Sequence, residues 1–285
     1  MKPTAHTAPP RAASRSRSRS IPAPMPRRLL PALLREHRLL LCLDYDGTLS
    51  EITARPADAR PVAHARAVIR ALTRHPERIA IAIISGRDLG TLRALLKPEG
   101  RLWMVGSHGI EMLDPDGERH LQPAAGAARS ELAKLRAWMK RKAPPRGGFV
   151  IEDKRVAIAL HYRNAKPGDA AVVRAALRDF IAARCASVTI LHGKMVDEVL
   201  PRGLGGKGAA VRRIQKLLGA PVATPVYFGD DVTDEDAFRE LREDGVTVRV
   251  GAAEPSWAQY RIESPAMVVA VLRGLVAALV PARRI

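Results

Sequence analysis

The stretch Leu39-Leu40-Leu41-Cys42-Leu43-Asp44-Tyr45-Asp46-Gly47-Thr48 runs from an apolar segment straight into two carboxylates. Consecutive apolar residues of this length suit a strand buried on both faces, where unpaired charge is costly. A bound cation would compensate the two aspartates; an Asp-Gly turn leaving the strand would also accommodate them. A second polar cluster, Ser85-Gly86-Arg87, follows the apolar run 79–84, and a third, Gly229-Asp230-Asp231, follows Val226-Tyr227-Phe228. Lys207 precedes the third cluster at the start of a helical stretch. Alone, Ser-Gly-Arg reads equally as a tight turn and Lys207 as a solvated lysine. Together the clusters describe a phosphoryl-transfer site. Asp44, Asp46 and Asp230 or Asp231 offer hard oxygen ligands with open positions, which suits Mg²⁺ rather than zinc. A carboxylate can attack phosphorus. Asp44 is the natural nucleophile, and Asp46 can protonate a leaving alcohol and then activate water, provided the two environments differ. Ser85, Lys207 and backbone N–H groups can hold the phosphoryl oxygens. Phosphate-monoester hydrolysis asks such positioning for on the order of 20 kcal/mol or more.

These clusters must be brought to one edge, and the intervening sequence supplies the elements to do it. Helices are expected near 61–75 and 88–96, the latter capped by Asp88, and strands at 39–43, 79–84 and 102–105. Strands alternating with helices imply a parallel sheet whose carboxyl ends hold the ligand. After the turn signal Asp114-Pro115-Asp116-Gly117 the rhythm changes. A helix near 128–141, a hairpin over 149–162, a helix over 169–184 and a second hairpin over 187–200 turning at His192-Gly193-Lys194 give the order β-β-α-β-β. Residues 156–162 alternate in period two, which marks one packed face and one more open face. The α/β rhythm returns with a helix at 207–218, a strand at 226–228, a helix at 234–242 and a last strand at 246–250. The expected fold class is α/β, a Rossmann-like parallel-sheet hydrolase core carrying an inserted α+β cap. The core comprises 26–120 and 203–285, the cap 121–202, and residues 1–25 form a disordered basic tail.

Composition bounds the partners. The 285 residues are 47% hydrophobic and 27% charged, which gives material for a substantial core. The formal charge is +18, and the acid-free residues 1–30 account for only part of the excess. Such a field attracts anions. No aromatic-and-basic pattern marks a nucleic-acid module, so no specific nucleic-acid partner is expected. No stretch reaches the length of a membrane span. The cysteines, Cys42 and Cys185, are too few for a disulfide framework and fit a cytoplasmic setting.

In these motifs the sequence resembles the haloacid-dehalogenase phosphatases and, more narrowly, the trehalose-6-phosphate phosphatase family. The narrower likeness rests on Gly106-Ser107-His108-Gly109-Ile110-Glu111, on Glu152-Asp153-Lys154 with His161-Tyr162-Arg163, on Gly193-Lys194 through Glu198, and on residues 229–236. It covers about 39–250. The resemblance implies Mg²⁺-dependent hydrolysis of trehalose 6-phosphate to trehalose and inorganic phosphate through an aspartyl-phosphate. Asp44 would be the nucleophile and Asp46 the general acid/base. Asp44, Asp46 through its backbone carbonyl, and Asp230 would bind Mg²⁺, with Asp231 and Asp234 around them. Thr48, Ser85, Gly86 and Lys207 would hold the phosphoryl group. Tyr45, Arg87, His108, Glu152, Lys154, His161, Lys194 and Glu198 are candidates to meet the substrate, since a sugar site needs polar side chains converging on hydroxyls. Arg87 reads equally as a partner of a core carboxylate, and Asp234 as a helix-start acid. A functional link to a trehalose-phosphate synthase is a further implication. Two alternatives stand beside this reading: a phosphatase for another sugar phosphate, and a non-catalytic sugar-phosphate-binding regulatory protein.

Overall fold

A computed structural model describes residues 19–53, 55–193, 195–203 and 206–279. A short strand β1 (Ala23–Pro24) and helix α1 (Leu29–Leu33) lead into β2 (Leu39–Asp44), α2 (Ala65–Leu72), β3 (Ile79–Ile84), α3 (Leu89–Leu96) and β4 (Trp103–Gly106). The Asp114-Pro115-Asp116-Gly117 turn joins two further strands, β5 (Glu111–Leu113) and β6 (Arg119–Leu121). Next come α4 (Pro123–Ala127), α5 (Arg129–Lys142), β7 (Val150–Asp153), β8 (Ile158–His161), α6 (Pro167–Arg184), β9 (Val188–Gly193) and β10 (Val196–Pro201). The chain ends in α7 (Gly206–Leu218), β11 (Thr224–Gly229), α8 (Glu235–Leu241), β12 (Val246–Val250), β13 (Tyr260–Ile262) and α9 (Pro265–Leu279).

The large sheet has the order β1-β13-β12-β11-β2-β3-β4-β5-β6, parallel from β1 to β4 and antiparallel over β5 and β6. Its central strands are apolar over nearly their whole length, as suits strands that helices cover on both faces. Leu39, Leu41 and Leu43 of β2 pack with α2, α3 and α9 on one side. Leu40 and Cys42 pack with α7 and α8 on the other. The Asp88 side chain caps α3 as its sequence position implies, accepting the Thr91 N–H at 3.0 Å.

A second sheet, β7-β8-β10-β9, is antiparallel throughout. Ile158, Leu160 and Val199 pack one face against α5 and α6. The opposite face carries Glu152, Ala159, His161 and Glu198, and is turned toward the large sheet: Leu200 and Ala157 meet Ile110 from the loop after β4. Period-two alternation is thus what gives this cap an apolar back and a polar front.

Two expectations need correction. Residues 246–250 are not the last strand, because the three-residue β13 follows and pairs in parallel with β12. Residues 19–25, counted with the tail, are ordered along that edge: Ala23 and Pro24 pair with Tyr260 and Arg261, and Ser20 bridges Ser256. Edge pairing uses backbone groups alone, so composition does not signal it. The remainder of the tail, residues 1–18, lies outside the described residues, as do Lys194, Leu204 and Gly205.

Candidate active site

The carboxyl ends of β11, β2 and β3, neighbours in the large sheet, bring Asp230, Asp44 and Ser85 to one edge. At the centre is the Lys207 ammonium, which enters from the first turn of α7. It donates to Asp44 Oδ1 at 2.7 Å and to Asp234 Oδ1 at 2.8 Å. All three side chains are buried. Burial alone would lower the lysine's pKa, but Asp234 and Asp44 raise it, so the ammonium is held charged. Burial pushes the Asp44 carboxyl well above the ordinary carboxylate range; Lys207 opposes that, while Asp234 and Asp230 add to it.

Asp234 organises the floor. Beyond Lys207, its Oδ1 accepts the Tyr227 hydroxyl at 2.7 Å, and its Oδ2 accepts the backbone N–H groups of Asp230 and Asp231. Asp231 returns a capping interaction to the Asp234 backbone and is itself exposed. Its side chain therefore serves the turn. Asp236, of the same acidic run, accepts the Gly208 N–H at 3.0 Å. The chain leaves β11 so tightly that a Cβ on Gly229 would fall 2.3 Å from Asp234 Cγ.

Asp230 is different in kind. Its Oδ1 is buried with no partner among the described residues. Burial first, and then the neighbouring Asp234 and Asp231, raise its pKa to about 7. Ligand atoms of Asp44, Asp230 and Asp234 lie within 4.8 Å of one another. Gly47, with φ of +74°, lets the backbone lie against the Asp230 carboxylate, since a Cβ there would fall 2.0 Å from Oδ2. An orphaned carboxylate oxygen, hard donors only and a glycine cradle fit a small divalent cation. Thr48 adds a second unpartnered buried oxygen, Oγ1, on the same loop.

Asp46 is gripped by Arg87, whose Nε and Nη2 donate to the two carboxylate oxygens at 2.7 and 2.6 Å. Of the two readings of Arg87, pairing with a core carboxylate is the one this arrangement adopts. Tyr45 does not face the site. Alternation turns it into the core between the two aspartates, where its hydroxyl donates to the Ala59 carbonyl at 3.0 Å. It thus has no polar atom to offer a substrate, contrary to the sequence expectation. Ser85 is buried and its Oγ accepts the Arg87 N–H at 3.2 Å.

The cap reaches this edge through two hydrogen bonds, tied together by a third within the cap. Lys154 Nζ donates to the Gly86 carbonyl and to Glu198 Oε1, each at 2.9 Å, and Glu198 Oε2 pairs with His108 Nε2 at 3.1 Å. His108 has a φ of +56°, and its ring crowds Gly86 so closely that a Cβ there would lie 2.6 Å from it. Burial would raise the Glu198 pKa, but His108 and Lys154 outweigh it and pull the group down to about 2. Glu152 and His161 pair with each other at 3.0 Å on the same cap face, both half-exposed. Lys194, the remaining cap candidate, lies outside the described residues. Beside this junction a cavity of about 380 Å³ is lined by His108, Lys207, Asp236 and the cap residues Ile190 and Leu191.

Residues 42–266 match the model of the trehalose-phosphatase family. The chain belongs to that family. This trehalose-phosphatase chain is similar to a trehalose-phosphate phosphatase of Mycobacterium avium, with 40% identity over 202 residues that cover 70% of the chain and 50% of that protein. It is also similar to an uncharacterized glycosyl hydrolase of Mycobacterium tuberculosis, with 38% identity over 83% of the chain but 18% of that much longer protein. It therefore spans half or less of the length of these relatives. Among solved structures, the C-terminal domain of the C. albicans trehalose-6-phosphate phosphatase superposes with a TM-score of 0.73 at 28% identity, covering 91% of this chain and 99% of that one. The family sets the core-and-cap architecture in context: a trehalose-phosphatase core of parallel strands, with the antiparallel sheet as its cap. Among the described residues no helix is long and apolar enough to cross a membrane.

Sequence reasoning passed over Tyr227 and Gly47. The tyrosine sits in an apolar strand and reads as core, and only its hydroxyl's 2.7 Å contact with Asp234 shows that it braces the site. Gly47 reads as half of an Asp-Gly turn, and its approach to Asp230 spans most of the chain.

Proposed function

We propose that this chain is a Mg²⁺-dependent phosphatase that hydrolyses trehalose 6-phosphate to trehalose and inorganic phosphate through a phosphorylated Asp44. The observation that carries the proposal is the buried Asp44–Lys207–Asp234 array facing the orphaned Asp230 oxygen.

In this reading Asp44 attacks phosphorus, a P–O bond forms to its carboxylate, and the bond from phosphorus to the sugar oxygen breaks. Asp46, protonated, gives its proton to the departing oxygen. It then takes a proton from the water that attacks the phosphorylated Asp44, which releases phosphate and restores both carboxyl groups. Arg87 holds Asp46 by both oxygens in this arrangement, so substrate arrival has to loosen that fork before Asp46 can reach the leaving group. Lys207 keeps Asp44 in place and adds positive charge where the phosphoryl oxygens collect. Thr48 Oγ1, Ser85 and nearby backbone N–H groups would take the equatorial oxygens. Asp44, Asp230 and the Asp46 carbonyl would hold Mg²⁺, which when bound offsets repulsion between carboxylate and phosphate.

The polar front of the cap supports a sugar as the leaving group. Glu152, His161, Lys154 and Glu198 converge on the site, and they already bond one another and the core. A hydroxyl-rich ligand can replace such bonds one for one. The test is phosphate release from a panel of trehalose, sucrose and glucose phosphates, with and without Mg²⁺. Preference for trehalose 6-phosphate that vanishes with chelator is expected. Equal turnover of all three would remove the substrate assignment, and no turnover of any would favour a non-catalytic binding role.

A further inference from the structure

Tyr227 carries a hydroxyl in a place that asks for none. It lies in β11, fully buried, in the layer where Leu40, Cys42, Val211 and Phe238 pack between the large sheet, α7 and α8. Its ring meets Phe238 edge-on, with centroids 5.8 Å apart. Phenylalanine would fill this volume. Burying a hydroxyl is costly unless it finds a partner, and the one it has is Asp234 Oδ1 at 2.7 Å.

That oxygen also takes the Lys207 ammonium, at 2.8 Å. A carboxylate offers about four acceptor positions. On Asp234 they are filled by Lys207, by Tyr227 and by the N–H groups of Asp230 and Asp231, the last two on Oδ2 at 3.1 and 3.0 Å. Tyr227, Asp230 and Asp231 belong to β11 or to the turn just beyond it, whereas Lys207 reaches over from α7 on a long, flexible stem. Oδ2 is therefore fixed by backbone, and the hold on Oδ1 from its own side of the site is the Tyr227 hydroxyl. The torsion that turns an aspartate carboxylate is soft, so without that hydroxyl Oδ1 would follow the ammonium rather than anchor it.

The ammonium is where this matters. Of its three N–H donors, one goes to Asp44 Oδ1 at 2.7 Å and one to Asp234, and the third has no acceptor among the described residues. An ammonium fixed through two of its donors has the direction of the third fixed as well. Lys207 also lines the cavity between core and cap. We propose that Tyr227 is a positioning residue for phosphoryl transfer: it holds Asp234 Oδ1, and through Asp234 it aims the Lys207 ammonium at Asp44 and at a phosphoryl oxygen. Tyr227 touches neither substrate nor cation in this role, which rests on the phosphatase reading above.

Steady-state release of phosphate from trehalose 6-phosphate by the full chain in Mg²⁺ tests this. In Tyr227→Phe, kcat is expected to fall about tenfold, near the lower end of what one hydrogen bond to a charged group is worth, because the ammonium's aim counts most where charge gathers in the transition state. KM is expected to stay within about twofold, since the cap face is untouched. The thermal shift on adding Mg²⁺ is expected to match the parent's, because Asp234 keeps its two backbone donors and Asp230 is unaltered. Placing 4-aminophenylalanine at this position restores a donor at the same point and is expected to regain most of the lost rate. Where Tyr227→Phe does not fold, 4-fluorophenylalanine at this position, which fills the hydroxyl's space without donating, supplies the same comparison. A variant without the donor that keeps parental kcat overturns the proposal, as does a loss carried by KM, a lost Mg²⁺ shift, or an amino variant no faster than the variant without the donor. A parent that releases no phosphate overturns the phosphatase reading and this role together; an active parent with an unaffected variant overturns this role alone.

Discussion

Replacing Lys207 with methionine keeps the length of the side chain and removes its charge. The lysine is 3% exposed and lies 2.7 Å from Asp44 and 2.8 Å from Asp234, so the variant leaves two buried carboxylates facing each other with no counter-charge. Removing one partner from a buried ion pair costs about 3–5 kcal/mol. In a domain of this size each kcal/mol lowers the melting temperature by about 2–4 °C, so a fall of about 6–20 °C is expected. Adding Asp234→Asn removes one of the stranded charges. Because the two positions touch, the double variant is expected to recover about 1–3 kcal/mol rather than lose more. Urea unfolding at neutral pH, in chelator so that no cation replaces the ammonium, measures both values as midpoint shifts at constant slope. Lys207→Met within about 0.5 kcal/mol of the parent, or a double variant whose losses simply add, would refute the claim that this array is held together by its central charge.

Three further outcomes follow from the same geometry. The Glu198 carboxyl, lowered from 4.5 to about 2 with His108 and Lys154 prevailing over burial, contributes stability that is complete above pH 4.5 and lost as pH falls toward 2. This contribution is about 3 kcal/mol, so unfolding free energy should fall more steeply across that window in the parent than in Glu198→Gln, and parallel curves would contradict it. Saturating Mg²⁺ at about a hundred times its dissociation constant should add about 2.7 kcal/mol of stability. Gly47→Ala, whose Cβ would fall 2.0 Å from Asp230 Oδ2, should lose that thermal shift, and a variant with an undiminished shift would place the cation elsewhere. Asp46→Asn should still transfer phosphate from an aryl ester, whose leaving group needs no proton, and then stall; intact-mass spectrometry should find the phosphorylated chain, and its absence at every time point would count against two-step transfer.

The parallel core was legible in the sequence because its strands are apolar at consecutive positions and end in chemistry. Leu39 to Leu43 suit a strand covered on both faces, and carboxylates that follow such a strand fall at the sheet's edge. The cap was legible through its alternation, with Ile158 and Leu160 packed and His161 facing out. Short elements that rely on backbone pairing were not. β1 and β13 comprise two and three residues and carry no pattern. At this edge of the sheet, residue types singled out Asp44, Asp46, Ser85, Lys207 and Asp230 as candidates but not who holds whom. The Arg87 fork on Asp46 is set by the pairing of β2 with β3, and the bridge from Glu198 to His108 by the way the cap sits on the core, neither of which local spacing encodes. Tyr45 misled for a simple reason: its side chain lies in the core, away from the two aspartates that flank it.

Phosphate release from trehalose 6-phosphate by the parent and by Asp44→Asn, in saturating Mg²⁺, addresses the nucleophile and the substrate together. Asparagine preserves the shape of Asp44 while removing the attacking charge. The parent is expected to turn the ester over, and the variant to fall to background while retaining a cooperative unfolding transition. A folded Asp44→Asn variant that releases phosphate within tenfold of the parent would contradict the account.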